Sequence, residues 1–118
     1  MYGYDYDIIH SSKDLTNEIE SMITSAEIPY KRGIHWTTDA GYRETWGQVM
    51  DYRDKGALCV EMEGVGLFTI ANYRKCVATG IYVVSDVYSE NDWKLGWEGN
   101  DIKRAVGVVI DMIIESIR

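Results

Sequence analysis

The junction at residues 57–63, Ala-Leu-Cys-Val-Glu-Met-Glu, constrains the fold more than any other part of the sequence, because an apolar run gives way there to two acids. Ala57, Leu58 and Val60 predict a strand. The small residues that follow allow a helix to pack closely: Gly64, Gly66 and Ala71. Open α/β sheets bind their ligands where a strand ends. The sequence therefore predicts an α/β fold with a binding site at this junction.

The two acids of the junction, Glu61 and Glu63, need hydrogen-bond donors, since burying an unpaired carboxylate is costly. A sugar diol is a suitable partner, because a carboxylate only accepts hydrogen bonds and two vicinal hydroxyls donate two. We expect at most one of the two acids to point into the site. The alternative interpretation is that both acids stabilise the positive end of the following helix.

The rest of the chain alternates between helical and strand-like patterns, which is typical of an α/β sandwich, and we expect residues 1–118 to form a single domain. Strands are predicted at 33–38 and 77–84, and a loop at 88–99. Four helices are predicted. The first begins at a Ser11-x-x-Asp14 capping box and stops before Pro29, and the second runs from a Thr45 cap to Lys55-Gly56. The third spans 62–73, and the last begins at Asn100 or Asp101.

Two further segments complete a pattern around the junction. Residues 33–45 read Gly-Ile-His-Trp-Thr-Thr-Asp-Ala-Gly-Tyr-Arg-Glu-Thr, and residues 81–86 read Ile-Tyr-Val-Val-Ser-Asp. In this order the three segments resemble the trimeric/hexameric nucleoside phosphorylase family, which includes purine nucleoside and uridine phosphorylases and related nucleosidases. The resemblance runs from about Gly33 to the C-terminus. It implies a three-layer α/β sandwich truncated to its C-terminal half, without the half that carries the glycine-rich phosphate loop.

The resemblance also implies roles for individual residues. It places Glu61, Met62 and Glu63 at the ribose, with the Glu63 carboxylate on the 2′- and 3′-hydroxyls and Met62 packed on the sugar. It makes Asp86 the catalytic acid that protonates or hydrogen-bonds the purine nitrogen, and Ser85 a residue that positions the base or that acid. The alternative for Asp86 is a cap of the next turn. Because uridine-specific members usually lack this acid, a purine is the favoured substrate.

Aromatic and basic residues complete the implied site. Trp36 falls where the family places an aromatic residue against the base, although tryptophan is also a common core residue. Arg43 would line the base pocket or contact a neighbouring subunit. The purine enzymes place an arginine after the Ser-Asp pair, where this chain offers only Lys94, a flexible point charge. The histidines His10 and His35 lie in no pattern that indicates a catalytic triad or a metal site.

The implied reaction is the reversible phosphorolysis of a purine nucleoside to the free base and ribose 1-phosphate. Inorganic phosphate is the co-substrate, and no metal or organic cofactor is implied. The alternatives within the family are a uridine phosphorylase and a nucleosidase that uses water. The alternative from another class is a catalytically inactive fragment that associates with itself or with a partner carrying the N-terminal half. Family members assemble as dimers, trimers or hexamers, so we expect a homo-oligomer.

Composition limits the partners further. A formal net charge of −7 and scattered basic residues argue against nucleic-acid binding, which requires clustered Lys and Arg. The sequence contains no signal peptide and no run that could cross a membrane. Cys59 and Cys76 lie in or beside apolar runs, and we expect them to be reduced thiols. We therefore expect a cytoplasmic protein that binds a nucleoside or free base and phosphate, and neither nucleic acid nor membrane.

Overall fold

The computed structural model describes residues 8–41, 45–89, 92–95 and 100–118, and these form a mixed structure of helices and strands. This mixture is consistent with the predicted α/β class. The three-layer sandwich and the single domain stay predictions, because the strands of the described residues form only two small sheets, each of two strands. The elements, in chain order, are α1 (Lys13–Ser25), β1 (Trp36–Thr37), α2 (Trp46–Asp54), β2 (Val60–Glu61), α3 (Gly64–Tyr73), β3 (Asp86–Ser89), β4 (Asp92–Leu95) and α4 (Asn100–Ser116).

The short parallel pair of β1 and β2 positions the strand-to-helix junction. Trp36 lies beside Val60 and Thr37 beside Glu61. Backbone hydrogen bonds from Trp36 N to Cys59 O (2.9 Å) and from Thr38 N to Glu61 O (2.8 Å) join the strands. Because the strands are parallel, their carboxyl ends lie side by side at one edge. Strands therefore occur where the sequence predicted them, but each is only two residues long.

The first helix begins one residue later than its capping motif predicted. The hydroxyl of Ser12, and not that of Ser11, accepts a hydrogen bond from Leu15 N at 3.3 Å. The Ser11 hydroxyl instead lies 3.1 Å from the hydroxyl of Thr16. The predicted stop is confirmed, since α1 ends before Pro29, whose ring disfavours a helical residue ahead of it.

The second helix confirms the local signals that predicted it. Thr45 and Gln48 form a reciprocal capping box, in which Gln48 N donates to Thr45 Oγ1 and Thr45 N donates to Gln48 Oε1, both at 3.2 Å. Past its other end, Gly56 has φ of +93°, a conformation that residues with a Cβ rarely adopt. The chain can therefore turn there from α2 into β2.

Two predictions about the segment after α3 were wrong. The described residues 77–85 form no strand, and the chain instead contacts α1, where Ser12 N donates to Ala78 O at 2.7 Å. An apolar run becomes a strand only when a neighbouring strand supplies its hydrogen bonds. Part of the predicted loop at 88–99 belongs to an antiparallel hairpin, in which β3 pairs with β4 and Asp86 lies opposite Leu95.

The buried apolar residues in the described part of the chain are few: Ile23, Ala40, Phe68 and Ala71. The third helix illustrates the pattern, because it buries Phe68 and Ala71 while leaving Ile70 63% and Tyr73 83% exposed. Apolar side chains at such exposures mark faces that the described residues do not cover. Among the helices of the described residues, none has the length and apolar character needed to cross a membrane.

Candidate functional site

The candidate site lies at the carboxyl ends of β1 and β2, where the chain turns into α3. Glu61 ends β2 with a side chain that is only 8% exposed. Its Oε2 accepts hydrogen bonds from the backbone N–H groups of Glu63 (2.5 Å) and Gly64 (2.6 Å). Its Oε1 accepts a hydrogen bond from the Thr37 hydroxyl and lies 3.1 Å from His35 Nε2. Both oxygens of this carboxylate are therefore occupied by the protein.

These contacts also cap α3. Glu63 occupies the N-cap position, but its side chain makes no capping hydrogen bond. Glu61 binds the first backbone N–H groups in its place, and Thr37 Oγ1 accepts from Val65 N at 3.2 Å. A helix leaves its first N–H groups without partners inside the helix, and a carboxylate is favoured at this positive end. The neighbouring strand β1 thus helps to begin the helix.

Two opposing effects act on the pKa of Glu61. Burial raises this pKa, because the charged carboxylate loses water. The hydrogen bonds from one hydroxyl and two backbone N–H groups, together with the His35 ring, outweigh burial and lower the pKa from its usual value of 4.5. Burial, followed by the charge of Glu61, raises the pKa of Tyr82 to about 12 and also raises the pKa of the Cys59 thiol. Glu61 is therefore ionised at neutral pH, and Tyr82 keeps its proton.

Gly64 lies directly beneath this cluster. A Cβ at residue 64 would lie 2.6 Å from His35 Nε2, 2.8 Å from Glu61 Oε1 and 3.1 Å from the Tyr82 hydroxyl. Non-bonded Cβ atoms essentially never come within 3.0 Å of another heavy atom. The absence of a side chain at residue 64 therefore allows three polar groups to meet above the start of α3.

Met62 and Glu63, in contrast, face solvent on the turn between β2 and α3. Met62 is 52% exposed, and Glu63 is an exposed residue whose Oε2 accepts from Met62 N at 3.1 Å. One acid of the junction is buried and the other is accessible. Strand alternation does not account for this, because residues two apart on a strand share one face and Glu63 lies beyond the end of β2. The accessible acid, Glu63, is the one available to a ligand.

Ser85 and Asp86 form a second group, at the start of β3. The Ser85 hydroxyl donates to Asp86 Oδ1 at 2.5 Å, and both residues are half-buried. The role of Ser85 in positioning the acid stays a prediction. Tyr82, three residues earlier, connects this segment with the junction, since its hydroxyl lies 3.4 Å from His35 Nε2.

Comparison with known proteins identifies the family. The sequence profile of the phosphorylase superfamily matches residues 3–115. This chain belongs to the phosphorylase superfamily. Two relatives are DeoD-type purine nucleoside phosphorylases from Exiguobacterium. The protein of Exiguobacterium sp. strain AT1b is 34% identical over 73 residues, which cover 62% of this chain and 31% of that protein. The protein of Exiguobacterium sibiricum is 33% identical over 84 residues, which cover 71% of this chain and 35% of that protein.

The aligned residues cover a larger share of this chain than of its relatives. They make up most of this chain but only about a third of the length of either relative. No solved structure matches the chain. The chain therefore matches only part of the length of each of the two enzymes.

The structure describes some of the remaining predicted site residues of this phosphorylase-superfamily chain and not others. Trp36 stacks on Tyr52, with ring centroids 4.2 Å apart and an interplanar angle of 12°. One face of its indole is therefore already covered by the protein. Arg43 lies outside the described residues. Lys94 falls within β4, where its backbone pairs with Val87.

Sequence reasoning missed His35, Thr37 and Tyr82 as parts of the junction. His35 and Thr37 are two residues apart in and before β1, so their side chains share one face, and Trp36 between them points to the other. That spacing was visible in the sequence. The register that sets Thr37 beside Glu61 was not, because parallel pairing joins residues that are far apart in the chain.

Proposed function

We propose that this chain supplies the sugar- and base-binding part of a purine nucleoside phosphorylase site and acts in the reversible phosphorolysis of a purine nucleoside to the free base and ribose 1-phosphate. The observation that carries the proposal is the accessible Met62-Glu63 turn at the end of β2. The printed names of the two relatives, both purine nucleoside phosphorylases, support the choice of substrate.

Glu63 is the residue proposed to hold the sugar. Its carboxylate is accessible, and it would accept hydrogen bonds from the 2′- and 3′-hydroxyls while Met62 packs on the ring. As the glycosidic bond breaks, the sugar becomes electron-poor. A carboxylate on the diol then interacts more strongly with the transition state than with the ground state, which lowers the barrier. Glu61, with both oxygens occupied, is better suited to hold the turn than to touch the sugar.

Asp86 is the residue proposed to handle the base. A purine anion is a poor leaving group until a proton reaches it, and a carboxylic acid can supply that proton. The hydrogen bond from Ser85 to Asp86 Oδ1 would orient the carboxyl group for this transfer. Trp36 would offer the base its ring face opposite Tyr52, and Arg43 would complete the base pocket. Phosphate would act as the nucleophile, and the proposal requires no metal or organic cofactor.

The test is release of free base from inosine, adenosine and uridine, with and without phosphate. The proposal expects cleavage of a purine nucleoside that depends on phosphate. Glu63→Gln and Asp86→Asn should each lower kcat/KM by about 100-fold, the scale seen when one charged or donor group of a transition-state site is removed. Glu18→Gln, on an exposed part of α1, is the matched control and should leave kcat/KM unchanged.

The other outcomes distinguish the alternatives. Cleavage without phosphate would identify a nucleosidase, and preference for uridine would identify a uridine phosphorylase. The second candidate is a catalytically inactive chain, which would bind a nucleoside at the accessible Met62-Glu63 turn without turning it over. Binding of inosine by calorimetry without base release would identify this case. Exposed apolar side chains such as Ile70 support self-association in either case, and a monomeric mass by light scattering would contradict it.

A further inference from the structure

We infer that His35 is a positioning residue, which acts through Glu61 to hold the β2–α3 turn in the shape that presents Met62 and Glu63 to a ligand. The inference rests on the proposed nucleoside site. It extends that proposal to a residue that would not itself touch the substrate.

The geometry of the His35 ring supports this role. Its Nε2 lies 3.1 Å from Glu61 Oε1, and the side chain is only 20% exposed. The ring packs beside Tyr82, with centroids 4.8 Å apart, and edge-on to Phe68, at 6.1 Å. The backbone neighbour Gly64 leaves the space in which Nε2 and Oε1 meet. The ring is thus confined on several sides and directs its Nε2–H at one oxygen of the carboxylate.

The effect of that contact passes through the carboxylate to the turn. Glu61 Oε2 binds the N–H groups of Glu63 and Gly64, so the plane of the carboxylate sets the position of these two amides. The Glu63 side chain in turn folds back to accept from Met62 N. Fixing Oε1 therefore fixes Oε2, and through it the direction in which the accessible acid leaves the backbone. Hydrogen bonds to a charged group are the strong ones, which suits them to this task.

The charged and titratable groups around His35 and Glu61 make the hydrogen bond that His35 donates important. Glu61 is ionised, and the Tyr82 phenol and the Cys59 thiol near it keep their protons. Glu63, two residues along the chain, brings a second negative charge. With Thr37, His35 supplies one of the two side-chain donors to Glu61 among the described residues. Its loss would leave Oε1 held by Thr37 alone.

The test compares two substitutions in the full chain. His35→Leu keeps the apolar contacts but removes the donor, whereas His35→Gln places an amide N–H at about the reach of Nε2. The first readout is the amide proton shifts of Glu63 and Gly64 by NMR across the titration of Glu61. We expect the Glu61 midpoint to rise in His35→Leu and to return toward the wild-type value in His35→Gln. If His35→Leu does not fold, His35→Asn, whose amide is too short to reach Glu61, replaces it.

The second readout is the affinity for inosine, measured by calorimetry. We expect His35→Leu to bind about tenfold more weakly, the scale of one hydrogen bond to a charged group, and His35→Gln to recover most of the loss. Unchanged Glu63 and Gly64 shifts together with unchanged affinity in His35→Leu would overturn the inference. Failure of the wild-type chain to bind inosine would contradict the proposed function, and the amide shifts would still decide whether His35 orients the turn.

Discussion

Replacing Gly64 by alanine tests the meeting of three polar groups over the start of α3. The added methyl group would lie 2.6 Å from His35 Nε2, 2.8 Å from Glu61 Oε1 and 3.1 Å from the Tyr82 hydroxyl. These contacts are shorter than carbon normally makes with nitrogen or oxygen, so at least two side chains must move. The His35 ring is packed against Phe68 and Tyr82, and it can withdraw only by giving up its contact with Glu61.

The size of the effect follows from three contributions. Overpacking by one methyl group costs about 1–3 kcal/mol. Loss of a hydrogen bond to a charged group costs about 1.5–3 kcal/mol. The higher helix propensity of alanine offsets about 1 kcal/mol at most. We therefore expect Gly64→Ala to lower the free energy of unfolding by about 1.5–5 kcal/mol, a large share of the stability of a small domain.

The same helix contains its own control. A Cβ at Gly66 would meet no atom within 4 Å, so Gly66→Ala should raise the free energy of unfolding by about 0.5–1 kcal/mol. Urea denaturation followed by tryptophan fluorescence gives both values under the same conditions. In a His35→Ala background the cost of Gly64→Ala should fall, because one of the crowded groups is gone. Equal stability of Gly64→Ala and Gly66→Ala would refute the crowding.

Three further predictions concern other parts of the chain. The pKa of Glu61 is lower in the folded state than its usual 4.5, so the stability it contributes is complete above that value and is lost as pH falls through the folded pKa. Urea denaturation across this range should show a shallower decline for Glu61→Gln, and parallel profiles would contradict the prediction. Cys76 is exposed, whereas Cys59 is half-buried with a raised pKa, so a thiol reagent should react with Cys76 first, and Cys76→Ser should abolish the fast phase. Thr45→Ala removes the capping box with Gln48 and should cost about 1 kcal/mol in thermal or urea unfolding, whereas Thr45→Ser should retain most of it.

The parts of the fold that the sequence predicted well are those specified by neighbouring residues. The Thr45 cap, the turn at Gly56 and the stop before Pro29 each depend on contacts or conformations within a few residues. The strand at 77–84 was predicted wrongly because apolar character shows only that a segment suits a sheet. Whether it joins one depends on a neighbouring strand, and pattern along the chain does not report that.

The candidate site was predictable in part for the same reason. The change from an apolar run to polar and small residues at 57–63 indicated the junction between β2 and α3. Strand alternation could not indicate which acid would be accessible, because residues two apart share one face and Glu63 lies beyond β2. The groups that surround Glu61 could not be found in this way. Thr37, which donates to Glu61, comes from a strand 24 residues away, and Tyr82, which contacts His35, comes from a segment without regular structure. The junction was thus visible from local pattern, whereas the network that holds it was not.

The pairing of β1 with β2 has a consequence for the order in which the chain folds. The hydrogen bond between Thr37 and Glu61 closes a loop of 24 residues that contains all of α2. Closing such a loop costs about 3 kcal/mol of chain entropy, and two-residue strands recover little of this until α3 has docked. We expect the junction to become ordered late in folding and to open early in partial unfolding. A molecule that binds Met62 and Glu63 would then slow the exchange of amides throughout β1, β2 and the start of α3, far beyond the atoms it touches.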